Sequence, residues 1–137
     1  KIFNNSYELK KIAILGLTYK EGTSTLRRSI SLEIINKLNK LGYKVSSYDP
    51  KADRKELGKY KNIGFSESLD EVVSNADLIL SITPWKEFLS LNFASIRKKV
   101  KQNYFFDISG QFDKKMIEKH KFKFLAIGNG TVYEVLK

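Results

Sequence analysis

Ile12-Ala-Ile-Leu15 is an unbroken apolar run that stops at Gly16. A strand apolar at every position belongs inside a parallel sheet, covered on both faces. Downstream, Ser29 is a candidate N-cap. Ile30, Ile34, Ile35, Leu38 and Leu41 then recur at helical spacing until Gly42 offers a left-handed stop. Lys44 to Tyr48 reads as a second strand, ended by Asp49-Pro50. Strand, helix, strand is a βαβ unit, whose crossover is expected to be right-handed.

The alternation continues along the chain. Residues 51–62 are polar, with room for one helical turn, and Ile63 to Phe65 is a short strand candidate. Ser68-Leu-Asp-Glu71 is a capping box that opens a short helix through Val72 and Val73. Ala76 to Ile82 is the next apolar strand; Thr83-Pro84-Trp85 breaks it, and a helical turn is expected around Phe88. Asn92 to Lys101 carries Phe93, Ile96 and Val100 on one helical face. Tyr104 to Asp107 is a strand, Asp113 caps a short helix, and Phe122 to Ile127 is the last strand. Strands alternating with helices predict an α/β fold, a three-layer Rossmann-like sandwich with a mostly parallel sheet of about five or six strands.

Composition narrows the chemistry. The 137 residues suit one domain, and 42% hydrophobic content with 12% aromatic argues against disorder. Cys is absent and His120 is the one His, so a disulfide framework, a cysteine nucleophile, a His-based triad and a multi-His metal site are excluded. No metal site and no catalytic residue is expected in this chain. No apolar run approaches the roughly 20 residues that cross a bilayer, and no membrane partner is expected. The chain opens on Lys1, not Met, so a piece of a longer protein is expected. Lys and Arg number 25 against 15 Asp and Glu, a net charge of +10, but only Arg27, Arg28, Arg54 and Arg97 are Arg. Scattered Lys reads as a solvated surface, so nucleic acid is not the expected partner.

Open parallel sheets bind ligands at the carboxyl ends of their strands. The first such loop, Gly16-Leu-Thr-Tyr-Lys-Glu-Gly-Thr-Ser-Thr-Leu-Arg-Arg-Ser29, lacks the Gly-x-Gly-x-x-Gly spacing of a dinucleotide turn. It holds Lys20, Arg27 and Arg28 against Glu21, a local balance of +2 before a helix N-terminus that also favours an anion. An anionic ligand gripped by side-chain cations and a solvated loop both fit this pattern. Asp49 sits where an acid meets a ribose hydroxyl in dinucleotide folds, but without the glycine fingerprint Asp-Pro reads better as a strand-ending turn. Trp85 is expected to pack, Asp107 and Asp113 to serve structure, and His120 to be solvated.

The same residues carry a resemblance. Ile12 to Ser29, Tyr48-Asp-Pro50, Ala76-Asp-Leu-Ile-Leu-Ser-Ile-Thr-Pro-Trp-Lys-Glu-Phe88 and, less closely, Phe106-Asp-Ile-Ser-Gly-Gln-Phe-Asp113 resemble the C-terminal domain of the UDP-glucose/GDP-mannose dehydrogenase family, in the family's order. The resemblance implies the UDP-sugar-binding domain of an NAD-dependent nucleotide-sugar 6-dehydrogenase, which oxidises the sugar C6 alcohol to a carboxylate. It implies a missing N-terminal NAD domain as partner, an upstream catalytic Cys, a homodimeric full-length protein, a role in polysaccharide biosynthesis and a cytoplasmic location. Residues 1–10 would be the linker from the upstream region and 11–137 the domain. By position, Tyr19 and Lys20 match an aromatic-Lys pair that contacts the substrate, and Arg27 an Arg that reaches toward the cofactor across the cleft.

The chain departs from that pattern at several places. Ser24 and Thr25 replace two acids, Arg28 a Glu, Ile30 a Pro, and Ser109 an Arg that grips substrate. A lost charge-assisted contact of about 1.5–3 kcal/mol weakens binding roughly ten- to a hundredfold. The alternatives left open are a divergent, non-catalytic nucleotide-sugar-binding module and a basic nucleic-acid-binding domain.

Overall fold

The computed structural model describes residues 9–126. Five strands form one sheet: β1 (Lys11–Leu15), β2 (Lys44–Tyr48), β3 (Leu78–Ser81), β4 (Tyr104–Asp107) and β5 (Lys123–Ala126). Their order is β2-β1-β3-β4-β5 and every pairing is parallel. The expected α/β sandwich is thus observed, with five strands and no antiparallel member among the described residues. The expected linker at residues 1–10 falls largely outside the described residues, as do Ile127 and the tail.

Alternation along each strand sorts the side chains into two cores. Ala13, Leu15, Ile79 and Phe105 face one side, where α3 (Leu69–Val73), α4 (Phe93–Lys99) and α5 (Lys114–Lys119) supply Val72, Val73, Phe93, Ile96 and Ile117. Ile12, Ile14, Leu78, Leu80 and Phe106 face the other, under α1 (Ile30–Lys40) and α2 (Arg54–Leu57). β1 lies between β2 and β3 and is covered by helices on both faces, so Ile12, Ala13, Ile14 and Leu15 are all buried. Hence the unbroken apolar run. Phe105 sits at the centre of the first core, edge-on to Phe93, Phe112 and Phe122 with ring centroids 5.0–6.2 Å away. Such tilted pairs place a ring's positive edge on its neighbour's negative face.

The helix ends follow their caps. Ser29 accepts from the Ser31 amide, and Gly42, at φ +92°, closes α1 by donating to the Asn39 carbonyl. Ser68 accepts from the Glu71 amide, but the capping box closes through a third residue: Ser66 Oγ donates to Glu71 Oε2 and accepts from the Ser68 amide. Asn92 caps α4 and Asp113 caps α5.

Three expectations need correction. Ile63–Phe65 is not a strand: a single parallel bridge, Ser47 to Phe65, extends the β2 edge. Gly64 is in the left-handed region at φ +62°, so the segment cannot stay extended. A Cβ there would lie 2.1 Å from the Val45 carbonyl oxygen. The strand expected over residues 76–82 is regular only over Leu78–Ser81, because Asp77 turns its carboxylate onto the Lys10 and Lys11 amides (2.9 and 2.8 Å). His120 is half-buried, not solvated, since α5 ends there and brings the ring to 5.9 Å from Phe93.

Candidate functional site

The carboxyl end of the sheet is tied together by one carboxylate. Asp49, just past β2, is 2% exposed. Its Oδ2 accepts from the Leu17 amide (2.7 Å), the Thr18 amide (3.1 Å) and the Trp85 indole N–H (3.0 Å), and its Oδ1 from the Lys51 amide (2.8 Å). One side chain thus joins the loops that follow β1, β2 and β3. The turn reading of Asp49 and the packing reading of Trp85 both hold. With its lone pairs taken this way, Asp49 is not placed to meet a ribose.

The switch point between β1 and β3 is filled. Gly16, at φ +99°, lies so close to Thr83 that a Cβ would meet the Thr83 amide nitrogen at 2.5 Å. Thr83 Oγ1 donates to the Thr18 carbonyl, Ser31 Oγ to the Gly16 carbonyl and Ser29 Oγ to the Leu17 carbonyl. The N–H groups that a pyrophosphate would need are taken as well: the Leu17 and Thr18 amides donate to Asp49 and the Gly16 amide to the Tyr48 carbonyl.

The β1–α1 loop rises above that base and is closed on itself. The Tyr19 amide donates to the Thr25 carbonyl (2.9 Å), and Lys20 to Thr23 form a tight turn with Gly22 at φ +85°. A second turn, Leu26 to Ser29, carries Arg28 at φ +61°. α2 braces the far side: Glu56 Oε1 accepts from Thr25 Oγ1 and the Leu26 amide, and the Asp53 amide donates to the Ser24 carbonyl. Of Ser24 and Thr25, neutral where the resembled family has acids, Thr25 is thus served by Glu56 of α2 and Ser24 by the backbone amide of its N-cap, Asp53. Leu26 is fully buried and anchors the loop's centre.

Tyr19, Lys20, Arg27 and Arg28 all stand exposed on this braced loop, Tyr19 to 50%. The structure brings them onto one short loop but not into an enclosed hollow of this domain. A cleft of about 280 Å³ lies elsewhere, between α1 and residues 59–63, and none of the four lines it. Ser109 is turned inward: its Oγ donates to Asp107, whose carboxylate also takes the Gly110 and Phe112 amides. Asp107 and Ser109 are thus the cap of the β4 loop. At the end of β2, burial pushes the Tyr48 phenol above its ordinary pKa, with Glu87 and Asp49 adding to the effect. Sequence reasoning missed Thr83, Ser31, Asp53 and Glu56, because each acts across 15 to 65 residues of chain.

Arg28 supplies a test. A non-glycine residue in the left-handed region costs about 1–2 kcal/mol, and strain held at a braced loop marks a position kept for its side chain. Arg28→Gly relieves that strain but frees the unfolded chain by about 0.5–1 kcal/mol. The expected result is a net gain of about 0.5 kcal/mol in urea unfolding. A loss above about 1 kcal/mol would mean that the Arg28 side chain supports the fold.

A five-stranded parallel α/β domain with a basic, braced loop over its first strand defines a Rossmann-like binding domain whose own dinucleotide crevice is shut. The chain belongs to the UDP-glucose/GDP-mannose dehydrogenase family: residues 13–114 match its UDP binding domain. It is 34% identical over 122 residues to a UDP-glucose 6-dehydrogenase of Rickettsia prowazekii (strain Madrid E), covering 88% of this chain and 28% of that relative. It is 30% identical over 131 residues to a UDP-N-acetyl-D-mannosamine dehydrogenase of Methanococcus vannielii, covering 93% and 29%. Among solved structures, a UDP-D-ManNAc dehydrogenase from Pyrococcus horikoshii superposes with a TM-score of 0.72 at 31% identity, over 90% of this chain and 27% of the other. The chain spans under a third of the length of these relatives. Among the described residues no group of His, Asp and Glu is arranged to hold a metal.

Proposed function

We propose that this chain is the nucleotide-sugar-binding domain of an NAD-dependent nucleotide-sugar 6-dehydrogenase that oxidises a sugar C6 alcohol to a carboxylate. The observation that supports the reading is the β1–α1 loop, pinned by Asp49, Thr83 and Glu56, on which Tyr19, Lys20 and Arg27 each stand exposed. A rigid loop loses little freedom when a ligand binds, so its charges act on the ligand instead of on loop ordering. Tyr19 and Lys20 hold the nucleotide sugar, Lys20 as a point charge at the diphosphate. Arg27 reaches toward NAD held by a separate N-terminal domain. That division of labour accords with the filled crevice between Gly16 and Thr83. A homodimer, a cytoplasmic location and a place in polysaccharide biosynthesis complete the proposal.

A second reading, a non-catalytic nucleotide-sugar-binding module, is favoured by Ser109, which points into the β4 loop and offers no cation to the ligand. An upstream Gly-x-Gly-x-x-Gly unit and an upstream Cys in the full-length protein select the enzyme; their absence selects the module.

Calorimetric titration with UDP-glucose tests the shared part. Binding is expected to weaken about tenfold in Lys20→Ala, the equivalent of one charge-assisted hydrogen bond. Unchanged affinity in Lys20→Ala and in Arg27→Ala would remove the loop from the site.

A further inference from the structure

We propose that the amino end of the sheet is a docking surface for anionic phospholipid bilayers. All five strands start at this end, and α1, α3, α4 and α5 finish there, because each helix runs back antiparallel to the strands. The connections are rich in lysine. α1 hands over to β2 through Lys37, Lys40 and Lys44, and α5 to β5 through Lys119, Lys121 and Lys123. α4 hands over to β4 through Arg97, Lys98, Lys99 and Lys101, and the chain enters β1 over Lys10 and Lys11.

Counted from each helix's last turn to the next strand's first residue, twelve cations face four carboxylates, Asp70, Asp77, Glu71 and Glu118, for a balance of +8. The whole chain carries +10, so this one end holds most of the excess. Three of the four acids are already engaged: Asp77 is buried on the Lys10 and Lys11 amides, Asp70 pairs with Lys99 and Glu71 accepts from Ser66 Oγ.

Helix dipoles account for only part of this. Lys37, Lys40, Lys98, Lys99 and Lys119 sit in last turns, where a cation complements the helix C-terminus. Lys44, Lys101, Lys121 and Lys123 do not, and Lys44 stands directly beside Lys11 in the β1–β2 register. The Lys11 ammonium donates to the Glu71 and Ser74 carbonyls at the end of α3, whereas Lys44 stands exposed beside it. Like charges on adjacent strands repel, and an anion at this surface would relieve that repulsion. Burial first, then the Lys44 charge, holds the Lys11 amine below the ordinary lysine pKa, with Asp77 opposing.

The chemistry of the patch selects the bilayer. Eleven of its twelve cations are Lys, point charges suited to a diffuse field of headgroups. Its one Arg, Arg97, is half-buried, and its aromatics Tyr43 and Tyr104 are half-buried as well, so this end offers neither guanidinium forks nor stacking platforms for nucleic acid. Leu41, 73% exposed at the tip of the α1–β2 turn, lies between Lys40 and Lys44 and supplies an apolar contact at headgroup depth. No helix among the described residues is long and apolar enough to cross a membrane, and surface adsorption needs none. So docked, the protein turns the β1–α1 loop away from the bilayer.

Co-sedimentation of the protein with vesicles of phosphatidylcholine alone, or with about 30% phosphatidylserine, tests the proposal. Binding to the anionic vesicles is expected to exceed binding to neutral ones about tenfold at low salt and to fall about tenfold by 0.3 M salt. The quadruple variant Lys40→Gln, Lys44→Gln, Lys119→Gln, Lys123→Gln should lose the preference, and Leu41→Ser should weaken it. Lys20→Gln, Arg27→Gln, Arg28→Gln, at the opposite end, should keep it; circular dichroism confirms that each variant folds. Equal binding to neutral vesicles, an unaffected quadruple variant, or tighter binding to duplex DNA than to anionic vesicles at matched salt overturns the proposal.

Discussion

Asp49→Ala is expected to remove about 5 kcal/mol of folding stability, a large part of the roughly 5–15 kcal/mol of an ordinary domain. The carboxylate is buried and receives the Leu17 and Thr18 amides and the Trp85 indole N–H from two other loops. Alanine strands all three donors, and each buried unsatisfied donor costs about 1–3 kcal/mol. The Lys51 amide, only partly buried, can turn to water and adds little. Trp85 is the one Trp, so its fluorescence reports the change at its own hydrogen bond during urea unfolding. Asp49→Asn, of the same shape, should recover part of the loss. A cost below about 1 kcal/mol in Asp49→Ala would show that the three loops are held by something else.

The second large effect is expected at Gly16. A methyl there would sit 2.5 Å from the Thr83 nitrogen and Cβ, and the residue's φ of +99° is foreign to L side chains. Left-handed strain of about 1–2 kcal/mol and overpacking of about 1–3 kcal/mol combine to roughly 2–5 kcal/mol in Gly16→Ala. Gly22→Ala is the control, because its φ is also positive (+85°) but nothing lies within 4 Å of the added carbon. It should cost only the strain. The difference between the two midpoints measures how tightly the β1 and β3 loops meet. Equal costs would mean that Thr83 does not fill the crevice. Gly16→Ala should also weaken UDP-glucose binding by displacing the loop that carries Tyr19 and Lys20.

Much of the fold was legible because burial on two faces leaves a plain mark. Ile12 to Leu15 read as a central strand, since the buried run is short and ends at Gly16, where a buried helix would run on. Ser29, Gly42, Ser68 and Asp113 marked helix ends through local hydrogen bonds and backbone angles, which depend on near neighbours alone. Ile63 to Phe65 misled because Gly64 had to approach the carbonyl of Val45, a strand residue nineteen positions upstream. His120 misled because its short helix ends against Phe93, a residue of another helix.

For the site, the sequence alone determined that no cysteine and no multi-His centre exists in this chain, and that the loop after the first strand is basic and lacks the dinucleotide glycines. Those are properties of composition and spacing, which folding does not alter. The tertiary structure alone decided that Asp49 binds protein donors, that Thr83 shuts the crevice, that Glu56 of α2 braces Thr25 and Leu26, and that the surplus lysines gather at one end of the sheet. Each of these is a meeting of residues distant in the chain. Parallel strands with antiparallel helices create such meetings by placing every helix end and strand start at one pole, an alignment that no local pattern encodes.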